Sequence, residues 1–350
     1  MRVVLLDPAA YTLPYDHHLA EALAARGLEV ELVASRFRFG EAPEPRGYRR
    51  RELFYPLSSR LFRRSPLRLP LKAAEHAAGL VRLRGVPRDV LHVQWAPLPQ
   101  LDLRLLPLDD RSVITAHDVL PRRTAHRVEL WRRLYGRFAR VVAHSEHGRG
   151  RLVSEVGVDP AQVEVIPHPV FPGRPRYEGD GATLLFLGVI QRYKQLDHAI
   201  DVARALGARL IVLGDPTFDL GERLSLPGVE WRLGYRPDAE IDAALAETTV
   251  ALFPYRAELD QSGALLRALG AGVPVAAYDV GGIAEPVRRF GAGAAAAADD
   301  VAALTEAVRV LLSDRDVLER ARAGARRAAA ELTWDAAAAA HAALYGRLAR

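Results

Sequence analysis

Short apolar runs alternate along the chain with segments whose apolar positions recur at helical spacing. In the first half these runs, each about as long as one strand, read RVVLLD, EVELVAS, DVLHVQW, SVITAHD and RVVAHS. Between the first two lies YDHHLAEALAARG, in which Leu19, Ala22, Leu23 and Arg26 follow helical spacing and Gly27 ends the pattern. Alternating strands and helices predict βαβ units around a parallel sheet.

The alternation restarts after VEVIPHPVFPGRPRYEGDG, whose four prolines and three glycines are typical of a linker. Apolar runs return as TLLFLGVI, ARLIVLGD, VEWRLG and VALFPYR, and one helix is expected from about Lys194. We place the boundary near residue 175. The prediction is an N-terminal domain over 1–172, a C-terminal domain over 173–332, and a helix over 333–350 that packs back towards the N-terminal domain. Two doubly wound, Rossmann-like α/β domains facing a central cleft are the architecture these patterns predict.

The charge is spread unevenly, with a net charge of +8 over residues 1–172 and −3 over the remainder. Much of the excess lies in residues 46–72, where Arg alternates with Leu, Phe and Pro. Two interpretations stay open for this segment: a solvated face, or a peripheral contact with an anionic membrane. Neither half matches a nucleic-acid-binding motif, so no nucleic-acid partner is expected.

The compartment is predicted from what the chain lacks. It has no cysteine, which excludes disulfides and Cys-ligated metals. Its start reaches Asp7 and Pro8 after one short apolar run, unlike a signal peptide, and no apolar segment approaches the ~18 residues of a membrane span. We expect a cytoplasmic protein, with any membrane contact at the inner face.

Two segments of the second half have the features of an anion site. In DQSGALLRALGAGVPVAAYDVGG, a helix that starts near Ser262 directs free N–H groups out of its loop, and Gly263 admits close approach. In FLGVIQRYKQLD, a strand ends at Gly188 and the cations Arg192 and Lys194 follow. Taken singly, these are an ordinary helix cap and surface cations. Together they predict a nucleotide-diphosphate site.

The segments LLFLGVIQRYKQLDHAI, VALFPYRAELDQSGALLRALGAGVPVAAYDVGGIAEPV and VVAHSEHGRGRLVSEVGVDPAQVEVIPHPV, with TAHDVLP, resemble the retaining glycosyltransferases of family 4. The resemblance covers nearly the whole chain and is densest between Leu185 and Glu285. It implies the GT-B fold and transfer of a hexose from a nucleotide-diphosphate sugar, which is a co-substrate. No cofactor and no metal are expected. The implied acceptor is a hydroxyl of a lipid-linked saccharide, a glycolipid or a polysaccharide.

The resemblance also assigns site residues by motif. His117, in TAHD, would contact the donor sugar, while Lys194 and Arg192 would hold the diphosphate; these three are the expected catalytic residues. The implied donor-binding residues are Gly188, Gln191, Gly214, Gly234, Tyr235, Arg236, Glu258, Gln261, Ser262, Gly263 and Glu285.

The sequence departs from the family pattern at the ribose. Many members carry two Glu residues separated by seven positions, the second of which binds the ribose. Here the first position holds Leu259 and the second holds Arg267. Glu258 and Asp260, on either side of Leu259, are the alternative carboxylates for the first position. The ribose clamp is therefore not retained.

The N-terminal loop DPAAYTLPYD lacks the glycine pair that is common in the family. The expected acceptor-binding residues are therefore Tyr15, Asp16 and His17, with Tyr11 beside them.

Other constellations are given structural interpretations. Asp314 and Asp316 have the spacing of a metal-binding pair but lie between two helical patterns, so we interpret them as a helix cap. His144 and His147 lack the further ligands of a metal site. Two competing functions remain open: a catalytically silent GT-B protein that binds a glycan or partner, and a sugar-nucleotide epimerase, for which the motifs do not supply acid and base side chains.

Overall fold

The structure, a computed structural model, describes residues 1–38, 40–59, 68–173, 181–256 and 260–349. The chain forms two compact units, one made of Met1–Pro167 with Trp334–Arg350 and the other of His168–Thr333. Each unit is built on a parallel sheet with helices between its strands, which confirms the predicted Rossmann-like class. Glu258 and Leu259 lie outside the described residues.

The first unit contains seven described strands: β1 Arg2–Asp7, β2 Glu29–Ser35, β3 Arg49–Phe54, β4 Val90–Val93, β5 Ser112–Thr115, β6 Arg140–Ala143 and β7 Val163–Val165. Its helices before the boundary are α1 Leu13–Ala25, α2 Arg68–Leu83, α3 Pro99–Leu105, α4 Val128–Tyr135 and α5 Glu146–Arg151. The strand order is β3-β2-β1-β4-β5-β6-β7, all parallel. The five predicted runs form β1, β2, β4, β5 and β6.

Strand β3 is an edge strand rich in arginine, which the apolar pattern did not indicate. Arg49 and Arg51 pair with Glu29 and Glu31 of the neighbouring β2. An edge strand tolerates such charges because one of its sides faces solvent, and charged side chains discourage pairing with other chains. Part of the positive charge of residues 46–72 is thus balanced by glutamates of β2. Residues 60–67 of that segment lie outside the described residues.

The second unit contains six described strands: β8 Thr183–Leu187, β9 Arg209–Gly214, β10 Val229–Leu233, β11 Val250–Phe253, β12 Val275–Tyr278 and β13 Gly293–Ala296. Its helices are α6 Leu196–Leu206, α7 Asp238–Ala246, α8 Gly263–Gly270, α9 Ala284–Phe290, α10 Val301–Ser313 and α11 Arg315–Glu331. The strand order is β10-β9-β8-β11-β12-β13. The central strands are apolar and buried on both faces, as expected of parallel strands covered by helices.

The chain passes between the units at Pro167 and His168 rather than at 172 and 173. The reason is that the next residues pack against the second unit. The amide of Val170 donates to the carbonyl of Leu332 at 2.8 Å, and the carbonyl of Phe171 lies against Gly270 of α8. At the start of α11, Asp314 accepts hydrogen bonds from the amides of Asp316 and Val317, so it caps the helix as its position predicts.

The last helix, α12 Trp334–Leu348, belongs to the first unit. Its Tyr345 hydroxyl lies 2.6 Å from Nδ1 of His92 on β4, and the other ring nitrogen of His92 lies 2.7 Å from the hydroxyl of Thr115. Burial lowers the pKa of His92 well below its ordinary value, so the ring is neutral and both nitrogens are satisfied. None of the described helices has the length and apolar character needed to span a bilayer.

Replacing Tyr345 with Phe should lower the free energy of unfolding by about 1–3 kcal/mol, because one nitrogen of the buried His92 loses its partner. Urea denaturation followed by circular dichroism would measure the change. The matched control on the same helix is Arg347→Ala, which removes an exposed ion pair with Glu164 and should cost less than about 1 kcal/mol. Equal effects of the two changes would contradict the assignment.

Candidate active site

Three glycines mark the C-terminal edge of the second sheet. Gly188 follows β8, Gly214 ends β9 and Gly234 follows β10, with φ angles of 103°, 152° and 95°. The carbonyl oxygen of Gly188 lies 2.0 Å from the point that a β-carbon on Gly214 would occupy, so a side chain cannot fit there. The carbonyl of Gly214 accepts from the amide of Gly234 at 3.0 Å. At these three positions the edge exposes backbone atoms without side chains, so a ligand can approach the backbone closely.

Lys194 brings its ammonium group to the same edge. It ends a short 3₁₀ turn, Arg192–Lys194, and its side chain is 7% exposed. Its Nζ lies 3.1 Å from the point that a β-carbon on Gly188 would occupy, and 4.9 Å from the ring centroid of Tyr255. Helix α6 begins at Leu196 rather than near Lys194, because Gln195 adopts a left-handed conformation with φ 48° that ends the turn.

The N-terminus of α8 reaches this place as well. Ser262 is its N-cap, and its hydroxyl oxygen accepts from the amide of Leu265 at 3.3 Å. In the first turn, Cβ of Ala264 lies 3.3 Å from the same point above Gly188. The two predicted anion elements, the turn after β8 and the tip of α8, therefore lie together, with the positive end of the helix dipole beside the ammonium.

Arg192 contacts a different group. Its exposed guanidinium lies 4.8 Å from the ring centroid of Phe218, in the loop after β9. That loop is joined to the turn after β8, since the amide of Thr217 donates to the carbonyl of Ile190 at 3.0 Å. A diphosphate contact by Arg192 stays a prediction.

The remaining donor-binding predictions lie around the same edge. Gln191 directly precedes the 3₁₀ turn, Gln261 precedes the cap of α8, and Glu285 is in the first turn of α9. Tyr235, after Gly234, is exposed, whereas Arg236 turns back and donates to the carbonyl of Leu233 at 2.7 Å. Their roles stay predictions.

Arg267, at the position of the ribose-binding Glu, is engaged by helix α7. It donates to the carboxylates of Asp238 at 2.8 Å and Asp242 at 3.2 Å. The partly buried guanidinium thus links α8 to α7, and the two carboxylates of α7 balance its positive charge. This explains why an arginine is stable at that position.

In the first unit, His117 follows β5 and is held on two sides. Its Nε2–H donates to Oε1 of Gln94 at 2.9 Å, and its ring stacks on Trp95, with centroids 5.3 Å apart and planes 11° apart. Gln94 and Trp95 were not among the predicted site residues. Their place directly after the apolar run of β4, in DVLHVQW, is the signal that could have identified them.

The predicted acceptor residues Tyr15, Asp16 and His17 are buried within the first unit. The ring of Tyr15 packs edge-on against His117 at 4.9 Å and against Trp334 of α12 at 5.1 Å. An acceptor contact by these three side chains would need a change in packing. The exposed aromatic residue of this loop is Tyr11.

Asp7 and Asp16 form a buried carboxyl pair beneath the loop after β1. Burial raises the pKa of Asp7 to about 6, although it accepts from the amides of Thr12 at 3.0 Å and Ala9 at 3.2 Å. Burial, followed by the charge of Asp7, raises the pKa of Asp16 well above its ordinary value. Ionising both buried carboxyls would place two negative charges side by side, which costs free energy. The pair therefore retains a proton near neutral pH.

Two histidines of the first unit, His144 and His17, have hydrogen-bond or ion-pair partners within the protein. Nδ1 of His144 donates to the carbonyl of Ile166 at 3.0 Å, and burial lowers its pKa to about 4. Among the described residues, donor atoms of His17, His18 and Glu21 come within 4.8 Å of one another. Nε2 of His17 lies 3.2 Å from Glu21, as in an ion pair or hydrogen bond across one helical turn. The expectation of no metal stays a prediction.

Family models match both halves of the chain. The model described as Glycosyltransferase Family 4 matches residues 15–174, and the model described as Glycosyl transferases group 1 matches residues 181–314. The chain belongs to glycosyltransferase family 4. The family resemblance that the sequence motifs indicated is thereby confirmed.

Two curated relatives match part of the family-4 chain. It is 29% identical over 184 residues to D-inositol 3-phosphate glycosyltransferase of Jonesia denitrificans, which is 48% of this chain and 43% of the relative. It is 31% identical over 167 residues to 2-deoxystreptamine glucosyltransferase of Streptomyces kanamyceticus, 43% of each chain. The matched regions thus span less than half the length of either relative.

Solved structures match over nearly the whole family-4 chain. Sucrose-phosphate synthase from Thermosynechococcus elongatus superposes with a TM-score of 0.82 at 17% identity, over 99% of both chains. Anabaena HepE in complex with UDP-glucose superposes with a TM-score of 0.74 at 14% identity, over 99% of this chain and 100% of that one. At these identities the likeness establishes the fold, which is GT-B.

The Asp7–Asp16 pair predicts a pH dependence of stability. A carboxyl whose pKa is raised on folding, from 3.8 to about 6 for Asp7, binds its proton more tightly in the folded state. The free energy of unfolding should therefore fall as the pH rises from about 4 through about 6. Asp16→Asn removes one carboxyl of the pair, so its decline should be shallower than that of the wild type.

Denaturant titrations between about pH 4 and pH 8 would measure these slopes. Asp335→Asn, at an exposed carboxylate that pairs with Arg26, is the matched control and should follow the wild type. An Asp16→Asn variant that declines as steeply as the wild type would show that the pair does not share a proton.

Proposed function

We propose that this protein transfers a hexose from a nucleotide-diphosphate sugar to a hydroxyl of a saccharide acceptor, with retention of configuration and without a metal ion. The observation that carries the proposal is the meeting of Lys194, the bare backbone at Gly188 and the tip of α8. An ammonium group and the N–H groups of a helix terminus, both beside an open glycine edge, are complementary to a diphosphate.

These groups would act on the charge that develops during transfer. When the bond between the anomeric carbon and the diphosphate oxygen breaks, its electron pair goes to the diphosphate and the sugar becomes oxocarbenium-like. Lys194 and the amides at Ser262 and Gly263 would stabilise the departing charge more strongly than the intact donor, which lowers the barrier. Protein groups would thus do the work that a metal ion does in other transferases.

Retention and the route of the proton are proposed from the resemblance to the retaining family-4 enzymes. The acceptor hydroxyl would attack the face that the diphosphate leaves, and its proton would pass to the departing phosphate oxygen. No side-chain base is then needed. The anomeric configuration of the product, determined by NMR, would test the retaining assignment.

The substrate classes are inferred from the relatives. HepE was solved with UDP-glucose, which supports a nucleotide-hexose donor. The two curated relatives are named for a phosphorylated inositol and for 2-deoxystreptamine. Our proposal for this chain is a saccharide or cyclitol hydroxyl, carried on a lipid-linked saccharide, a glycolipid or a polysaccharide.

A catalytically silent family member is the second candidate, and the observation that favours it is Arg267. The guanidinium stands where many members place the ribose-binding carboxylate, and it is neutralised by Asp238 and Asp242. A protein that does not bind a nucleotide has no need of the ribose-binding carboxylate, so an arginine at this position would cost it nothing.

Changing Lys194 to Ala should reduce turnover by a factor of about 10² to 10³, because a group that stabilises the leaving charge is lost. Lys194→Arg should retain part of the rate, since the charge is kept. Donor hydrolysis with UDP-, GDP- and ADP-glucose would report turnover, and calorimetry with UDP, GDP and ADP would report binding. The matched control is Arg223→Ala, a surface cation of the same unit that pairs with Asp197.

Two results would count against the proposal. An unchanged rate in Lys194→Ala would remove Lys194 from the mechanism. A wild-type protein that binds none of the three nucleotides would support the silent protein instead.

A peripheral membrane contact is part of the proposal, and it predicts salt-sensitive binding to anionic vesicles. Leu57 and Leu69 are exposed apolar side chains in the basic region, with Leu69 76% exposed. Wild-type protein should co-sediment at low salt and dissociate at high salt, and Leu69→Ser should bind less. The control is Leu224→Ser, at an exposed leucine of the second unit. Equal binding by all three proteins would refute a contact through this region.

A further inference from the structure

Two histidines and a glutamate come together on one side of helix α1. His17 precedes Glu21 by four residues and His18 precedes it by three, and both spacings place side chains next to each other on a helix. One carboxylate oxygen of Glu21 lies 3.2 Å from Nε2 of His17 and 3.7 Å from Nδ1 of His18. Among the residues that the structure describes, these form the one group of three His, Asp or Glu side chains whose donor atoms all lie within 4.8 Å of one another.

The separations of these donor atoms suit a small divalent metal ion. Zinc lies about 2.0–2.2 Å from imidazole nitrogens and carboxylate oxygens, so the ligands of a tetrahedral site stand roughly 3.4 Å apart. The two distances from Glu21 to the histidines, 3.2 Å and 3.7 Å, lie on either side of this value. Adjustment of the side chains alone therefore brings three ligands to one ion, and water supplies the fourth.

The ring of His17 is oriented by a buried tyrosine of β3's approach segment. Its Nδ1 lies 2.9 Å from the hydroxyl of Tyr48, which can both donate and accept. In one tautomer Nε2–H of His17 donates to Glu21. In the other, Nδ1–H donates to Tyr48 and the lone pair of Nε2 is available to a metal. Ligating histidines usually hold their second nitrogen on such a partner, which fixes the ring.

The other two ligands are confined but accessible to solvent. The ring of His18 lies against the indole of Trp334 on α12, with centroids 5.1 Å apart and planes 35° apart. The side chains of His18 and Glu21 are 29% and 23% exposed. An ion can therefore reach them from solvent, and their packing limits the conformational entropy that ligation removes.

The donor set and its charged neighbours favour one kind of ion. Two neutral imidazoles and one carboxylate carry a single negative charge. Arg46, whose Nε lies 3.9 Å from Glu21, and Arg50, near His17, oppose a cation. Mg²⁺ and Ca²⁺ take mainly oxygen ligands and depend on negative charge, whereas Zn²⁺ binds imidazole nitrogen well. The cluster thus suits zinc rather than a hard cation.

We propose that His17, His18 and Glu21 bind one Zn²⁺ ion, which links two successive turns of α1 and stabilises the first unit. The inference does not rest on the proposed function, because no step of the transfer described above uses this ion. It departs from the expectation of no metal, which was drawn for the transfer reaction.

Isothermal titration calorimetry of ZnCl₂ into the full chain, without an affinity tag and after treatment with EDTA, would test the proposal. The wild type should bind one Zn²⁺ per chain with a Kd of about 1–10 µM. Its melting temperature should rise with the concentration of ZnCl₂, because the ion binds the folded state. His18→Ala and Glu21→Gln each remove one ligand and should weaken binding by about a hundredfold.

Two further variants separate ligation from other effects. Tyr48→Phe keeps the three ligands but removes the partner of His17, so it should weaken binding by about tenfold with the stoichiometry unchanged. His126→Ala, at an exposed histidine of the first unit, is the matched control and should bind as the wild type does. Melting of each variant in EDTA, followed by circular dichroism, distinguishes a lost ligand from a lost fold.

Each possible failure has a defined meaning. A folded wild type that binds no Zn²⁺ below about 100 µM would overturn the proposal. So would His18→Ala and Glu21→Gln variants that bind Zn²⁺ as tightly as the wild type, since the ion would then be held elsewhere. MgCl₂ or CaCl₂ bound as tightly as ZnCl₂ would overturn the assignment to zinc.

Discussion

The second unit depends on the close approach of the backbone at Gly188 and Gly214. These residues end neighbouring parallel strands, and a β-carbon at Gly214 would lie 2.0 Å from the carbonyl oxygen of Gly188. Because no side chain stands there, the ammonium of Lys194 and the first turn of α8 can both come to Gly188. The positive charge of Lys194 and the positive end of the α8 dipole thus lie close together because Gly188 has no side chain to separate them.

Much of the architecture could be predicted because apolar runs of the right length are a local signal. The runs in both halves became strands, and glycines, Lys194 and the Ser262 cap could be placed at strand and helix ends. Parallel strands then bring those ends to one edge, so that residues distant in sequence become neighbours. The Rossmann-like class and the grouping of Lys194 with α8 followed from that one geometric rule.

Other features depend on contacts that local pattern does not contain. Strand β3 is arginine-rich and is stabilised by acids of β2, so it has no apolar run to detect. The burial of Tyr15 depends on Trp334 from the far end of the chain. Arg267 departs from the family motif, and its partners on α7 lie well before it in sequence. Long-range packing and ion pairing decided each of these cases.

The hydrogen bond between Val170 and Leu332 has a consequence for how such chains diversify. It joins the segment that enters the second unit to the segment that leaves it, with the nitrogen of Val170 2.8 Å from the carbonyl oxygen of Leu332. Domains whose entering and leaving segments lie close together are the ones in which insertion and exchange are tolerated. Recombination at these two segments gives evolution a route to new pairings of the halves.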